Sequence, residues 1–163
     1  MRLGEAGLLR GAYHFFYAHD DPKKQAEHFI VTVQKNTVKP DDLPPVLDLE
    51  ITDGMSKTQI AERAFVWLQA VEKALGKKPI LYTDPGFANA YLTDPKFADY
   101  RLWIAEYGVE KPTVPHAWQG KMWTLWQHTQ TGEAAGVNGH VDLDVFNGTQ
   151  KELLALVQNA NAQ

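Results

Sequence analysis

Short apolar runs alternate along the chain with stretches whose apolar positions recur every three or four residues. Gly11 to Tyr17 (Gly-Ala-Tyr-His-Phe-Phe-Tyr) reads as a first strand. Asp20-Asp21-Pro22 reads as a helix start, and Ala26, Phe29, Ile30 and Val33 then mark one apolar helix face. Pro40 to Pro45 punctuates the chain, and Val46 to Ile51 is the next strand. Ser56 with Gln59 fits a capping box, which opens a helical stripe of Ile60, Ala64, Trp67, Leu68, Val71 and Leu75, with Gly76 as its stop. Strands follow at Pro79–Thr83, Leu102–Tyr107, Met122–His128 and Val141–Phe146. A short helix is expected over Pro85–Tyr91, a loop over Gly132–Gly139 and a closing helix over Gln150–Asn159. Strand–helix alternation of this kind predicts an α/β fold with a largely parallel sheet of six strands.

Composition narrows the chemistry. A chain of 163 residues favours a single domain, here 1–163. It holds 16 Lys and Arg against 20 Asp and Glu, a balance that speaks against a nucleic-acid partner or an anionic membrane surface. Cysteine is absent, which excludes disulfides, thiolate nucleophiles and Cys-ligated zinc. No apolar run reaches the length of a membrane helix, and Met1 to Arg10 lacks the apolar core of a signal peptide. The chain as given is therefore expected to stay cytoplasmic. Gly-x-Gly-x-x-Gly, Gly-Lys-Ser/Thr and Gly-x-Ser-x-Gly are all missing, and the six histidines show no metal-type pairing on one helix. No cofactor and no metal are expected.

The acidic positions carry the most information. In Val46-Leu47-Asp48-Leu49-Glu50-Ile51, strand alternation puts Leu47, Leu49 and Ile51 on one face and Val46, Asp48 and Glu50 on the other. Two residues of strand separate the Cα atoms of Asp48 and Glu50 by about 6.6 Å. Carboxylates that close in a partly dry site cannot both ionise easily, and such a pair serves glycoside hydrolysis. The same spacing fits a solvated pair at the end of an edge strand. Asp142 and Asp144 repeat the pattern in Val141–Phe146 and would converge with the first pair in a barrel. Four such acids also suit a divalent cation, the basis of a metal-dependent hydrolase reading. Tyr13, Phe15, Tyr82, Trp103, Tyr107, Trp123 and Trp126 stand at or near strand ends, where aromatic faces stack on sugars. Gln127 offers an amide to a sugar hydroxyl.

Six motifs in this order resemble glycoside hydrolase family 25, the lysozymes of the Chalaropsis type. They are Gly11-Ala12-Tyr13-His14-Phe15-Phe16, Pro45–Glu50, Ile80–Thr83, Leu102–Tyr107, Leu125-Trp126-Gln127 and Val141–Gly148. The resemblance implies an irregular TIM-like (β/α) barrel that cleaves the β-1,4 bond between N-acetylmuramic acid and N-acetylglucosamine in bacterial peptidoglycan. By similarity Glu50 is the general acid, Asp48 assists the substrate's N-acetyl group or stabilises charge at the anomeric carbon, and Asp142 lines the same pocket ahead of Asp144. Tyr13, Phe15, Tyr82, Trp103, Tyr107 and Gln127 match the cleft lining.

Members of the family open with two further strand–helix units, the first carrying an Asp-x-Ser that is absent here. The resemblance therefore implies an incomplete barrel of about six strands. Its exposed edges suit a homo-oligomer. Its catalysis is impaired, or replaced by glycan or protein binding through the aromatic cleft. Action on the cell wall would follow export or lysis.

Overall fold

In the computed structural model the described residues are 8–36 and 42–158. Six strands form one sheet in chain order: β1 (Tyr13–Phe15), β2 (Val46–Asp48), β3 (Ile80–Thr83), β4 (Arg101–Ala105), β5 (Leu125–Gly132) and β6 (Val141–Phe146). β1 to β5 pair in parallel, and β6 returns antiparallel to β5. The sheet curls into half a barrel, as the incomplete TIM-like reading expects. β1 and β6 are its edges.

The helices form where local chemistry starts them. Asp21 caps α1 (Pro22–Lys35) by accepting from the Lys23 and Lys24 N–H groups, with Pro22 in the first turn where its missing N–H costs nothing. Ser56 and Gln59 close the expected capping box on α2 (Lys57–Leu75), and Gly76 ends it at φ 66°, a left-handed conformation that suits glycine. Asp84 caps α3 (Pro85–Tyr91) through the Phe87 N–H at 2.9 Å. α4 (Gln150–Gln158) closes the described chain.

Alternation then sorts the two faces of the sheet. Leu47, Leu49, Leu81, Leu102 and Ile104 point outward and are buried against Ile60, Ala64, Trp67, Leu68 and Val71 of α2 and Phe29 of α1. The concave face carries Val46 and Ile80, with Tyr82, Trp103, Leu125 and Phe146 packed beside them, and Leu153 and Leu156 of α4 complete this smaller cluster as a floor. Trp67 anchors the outer layer. It is fully buried, stacks on His14 at 5.5 Å and meets Phe29 at 5.1 Å. Its Nε1 has no hydrogen-bond partner. Trp67→Ala is expected to cost about 3–5 kcal/mol of stability in urea unfolding. Trp67→Phe is expected to cost clearly less, because it also removes the orphaned N–H.

Several expectations need correction. β1 pairs only over Tyr13–Phe15, and β2 ends at Asp48, although the Leu49 N–H still donates to Tyr82 O at 3.0 Å. β5 starts three residues later than Met122 and runs on to Gly132, because Val141–Phe146 folds back on it as a hairpin instead of arriving through a crossover. Gly132 is required there: a Cβ would lie 2.4 Å from the Leu143 side chain. Two 3-10 turns, Pro95–Asp99 and His116–Trp118, follow α3 and β4 where no element is expected. Part of the Pro40–Pro45 break and Asn159 of the closing helix lie outside the described residues. Among the described residues no helix is long and apolar enough to cross a membrane.

Candidate active site

The C-terminal ends of the parallel strands gather most of the polar side chains singled out above, as parallel α/β folds do. Sheet register sets their order. Phe15, Asp48, Tyr82 and Trp103 fall in one row across β1 to β4, with Asp48 directly between Phe15 and Tyr82. Ala105, Gln127 and Asp144 form the next row toward the open end. Glu50 lies just past the end of β2 and is exposed.

Asp48 is half-buried among these aromatics, and its Oδ1 accepts no hydrogen bond. Burial, and then the charge of Glu50, push its carboxyl up to about 7. Glu50 is also raised, by partial burial and by the charge of Asp84. The Asp48 carboxyl thus stays partly protonated near neutral pH.

A hydrogen-bond network walls the other side. Gln127, buried at 6% exposure, accepts through Oε1 from Tyr82 Oη at 2.8 Å and from Tyr107 Oη at 2.5 Å. Tyr82 stands edge-on to Trp103, ring centroids 5.6 Å apart. Trp103 Nε1 donates to Asp144 Oδ1 at 2.7 Å. Burial raises the Asp144 carboxyl and that bond lowers it in part. The Tyr107 hydroxyl is raised by desolvation, and the charges of Asp142, Glu50 and Asp144 all bear on it.

The expected residues are not equally placed. Asp48, Glu50, Tyr82, Trp103, Tyr107 and Gln127 come together. Phe15 flanks Asp48 as the side wall on β1. Tyr13 stands one step down the edge strand and is 69% exposed. Asp142 is exposed on the outer part of the hairpin, whereas Asp144 carries the bond to Trp103. Asp84 was not anticipated: as a helix cap beside Glu50 it adds a third negative group to that corner. Among the described residues no three His, Cys, Asp or Glu side chains converge to hold a metal ion, so the four acids are not arranged as a cation cage. His14 faces away from the cleft, stacked on Trp67 and bonded through Nε2 to Gln25 at 3.0 Å. Desolvation lowers its pKa.

The chain is similar to known proteins. The family described as Glycosyl hydrolases family 25 matches residues 2–137. The chain is 40% identical over 153 residues to the protein YegX of Escherichia coli strain K12, covering 94% of this chain and 53% of that one. It is 32% identical over 163 residues to Lysozyme M1 of Streptomyces globisporus, covering 94% and 55%. The chain thus spans about half the length of these curated relatives. The crystal structure of the bacterial lysozyme from Streptomyces coelicolor superimposes with a TM-score of 0.84 at 30% identity, over 96% of this chain and 76% of that one.

Proposed function

Because the chain belongs to family 25 of the glycosyl hydrolases, we propose that it is a peptidoglycan muramidase with Glu50 as general acid and Asp48 as its assisting carboxyl. The bond cleaved is the β-1,4 linkage between N-acetylmuramic acid and N-acetylglucosamine. The observation that carries this reading is the pair itself: two carboxyls, both pushed toward the protonated state, at the open end of an aromatic half-barrel. The lysozyme name of the Streptomyces relative agrees with it.

The positions of the two carboxyls support a division of labour. Glu50 stands furthest out and accessible, where a leaving-group oxygen can take its proton. Asp48 lies one row deeper, where an ionised carboxylate would stabilise positive charge at the anomeric carbon. In the reaction the substrate's acetamido oxygen attacks the anomeric carbon, the glycosidic C–O bond breaks, and the Glu50 proton moves to the departing oxygen. Water, losing its proton to the Glu50 carboxylate, then opens the cyclic intermediate with retained configuration. Asp48 takes part as the carboxylate, a form that its titration at about 7 makes available at neutral pH. Tyr82 and Trp103 supply the ring-stacking floor, Tyr107 and Gln127 a polar wall, and Phe15 with Tyr13 the opposite side. Asp142 adds a charge at the rim. The chain acts as one catalytic domain, on the cell wall after export or lysis.

Incubation with purified peptidoglycan is expected to release reducing ends of N-acetylmuramic acid, with no loss on adding a chelator. A folded chain that binds the glycan but releases no reducing ends would retire the hydrolase reading in favour of a glycan-binding one.

A further inference from the structure

One short contact joins the loops that follow β1 and β2. His19 Nδ1 meets Asp53 Oδ2 at 2.6 Å, and its Nε2 reaches Asp20 Oδ1 at 3.1 Å. Asp53 is the one non-glycine residue with positive φ among the described residues, at 54°. With Gly54 at φ 76° it centres a tight turn closed by the Met55 N–H to Thr52 O at 2.9 Å. Two positive φ values mark a type I′ turn, for which Asp-Gly is a favoured centre.

The partner loop is equally fixed. The Gln25 side chain accepts from the Tyr17 N–H at 3.1 Å and donates to Tyr17 O at 2.8 Å and Asp20 O at 3.3 Å. Arg63 donates to Asp20 O at 3.0 Å. His19 is therefore held on a stitched segment and is not a side chain on a loose tip.

These contacts close a circuit around the two carboxyls. Asp48 is the register partner of Phe15. The Phe15 ring meets Tyr17 at 5.2 Å, and Tyr17 meets His19 edge-on at 6.4 Å. His19 bonds Asp53, which follows Glu50 by three residues. The sheet ladder ends at Asp48, so the segment carrying Glu50 is anchored by the strand on one side and by the turn at Asp53 on the other.

We propose that His19 and Asp53 are a positioning pair that fixes Glu50 relative to Asp48 for the hydrolysis assigned above, a role that rests on that assignment. Neither residue belongs to the strand rows that carry the cleft side chains. Displacement of a catalytic group by about 1 Å costs up to about 100-fold in rate, so a brace at this point acts on kcat.

The test compares His19→Ala and His19→Asn in the full chain. The Asn amide can occupy the place of Nδ1 and donate to Asp53. His19→Ala is expected to lower kcat on peptidoglycan fragments about tenfold with KM within about twofold, and His19→Asn to recover most of the loss. In carboxyl NMR titrations the Asp48 signal of His19→Ala is expected to titrate lower than in the wild type, since Glu50 is no longer held beside it. Unchanged kcat in His19→Ala, or equal losses in both variants, would overturn the pair. If the wild type releases no reducing ends, the titration decides alone. A shifted Asp48 keeps the brace while the muramidase reading falls; an unshifted one removes the brace as well.

Discussion

Glu50→Gln is expected to lower kcat for peptidoglycan cleavage by about 10³-fold while leaving the unfolding midpoint close to that of the wild type. The asymmetry follows from where Glu50 sits. It lies beyond the last paired residue of β2, exposed, and belongs to neither apolar cluster. Exchange of its carboxyl for an isosteric amide removes a proton donor and little packing. What fails is protonation of the departing sugar oxygen, a poor leaving group without it. A substrate analogue with a dinitrophenyl leaving group needs no such proton. Glu50→Gln is expected to keep most of its activity on that analogue for the glycosylation step. Equal losses on both substrates would show that Glu50 does something other than donate a proton.

Asp48→Asn is expected to have two opposite effects. Hydrolysis of both substrates should fall by about 10²–10³-fold, because the neutral amide cannot stabilise positive charge at the anomeric carbon. Stability should rise, by an amount that grows from about pH 4 to about pH 7 and is full above it. The Asp48 carboxyl titrates at about 7 in the fold, against 3.8 for an unperturbed carboxyl, with burial as the main cause and Glu50 as the second. The folded chain therefore binds more protons than the unfolded one between these values, and stability falls as pH rises through that window. After discounting for solvent on a half-buried group, the cost above pH 7 is about 1–2 kcal/mol. Asparagine carries no such cost. Thermal unfolding at about pH 8 should show the variant above the wild type, and at about pH 4 the two should coincide. A variant less stable than the wild type at the alkaline end would mean that Asp48 is held by a favourable contact.

Elements governed by neighbouring residues were legible in the sequence. The Ser56–Gln59 box, the Asp21-Pro22 start and the Leu47/Leu49 against Asp48/Glu50 alternation all depend on spacing within one turn or strand, and each formed as expected. What depended on distant partners was not legible. Alternation puts Asp142 and Asp144 on one face, but only the shifted register of the β5–β6 hairpin brings Asp144 opposite Gln127 and within reach of the Trp103 Nε1–H. The antiparallel return itself is invisible to strand–helix alternation, since Gly132–Gly139 reads as a loop in either topology. Asp84 read as an ordinary helix cap, and its electrostatic role beside Glu50 arises only when β2 and β3 pair. His19 and Asp53 lie 34 positions apart and carry no motif at all.

The floor supplied by α4 has a consequence for the order in which the molecule folds. Leu153 and Leu156 close the concave cluster beneath Val46 and Ile80, which belong to strands synthesised far earlier. The contacts under the acidic pair are therefore among the most distant in sequence, and contacts of that kind form late. The outer layer of α1, α2 and the first strands can therefore assemble before α4 docks, and the concave cluster beneath β2 and β3 is completed last.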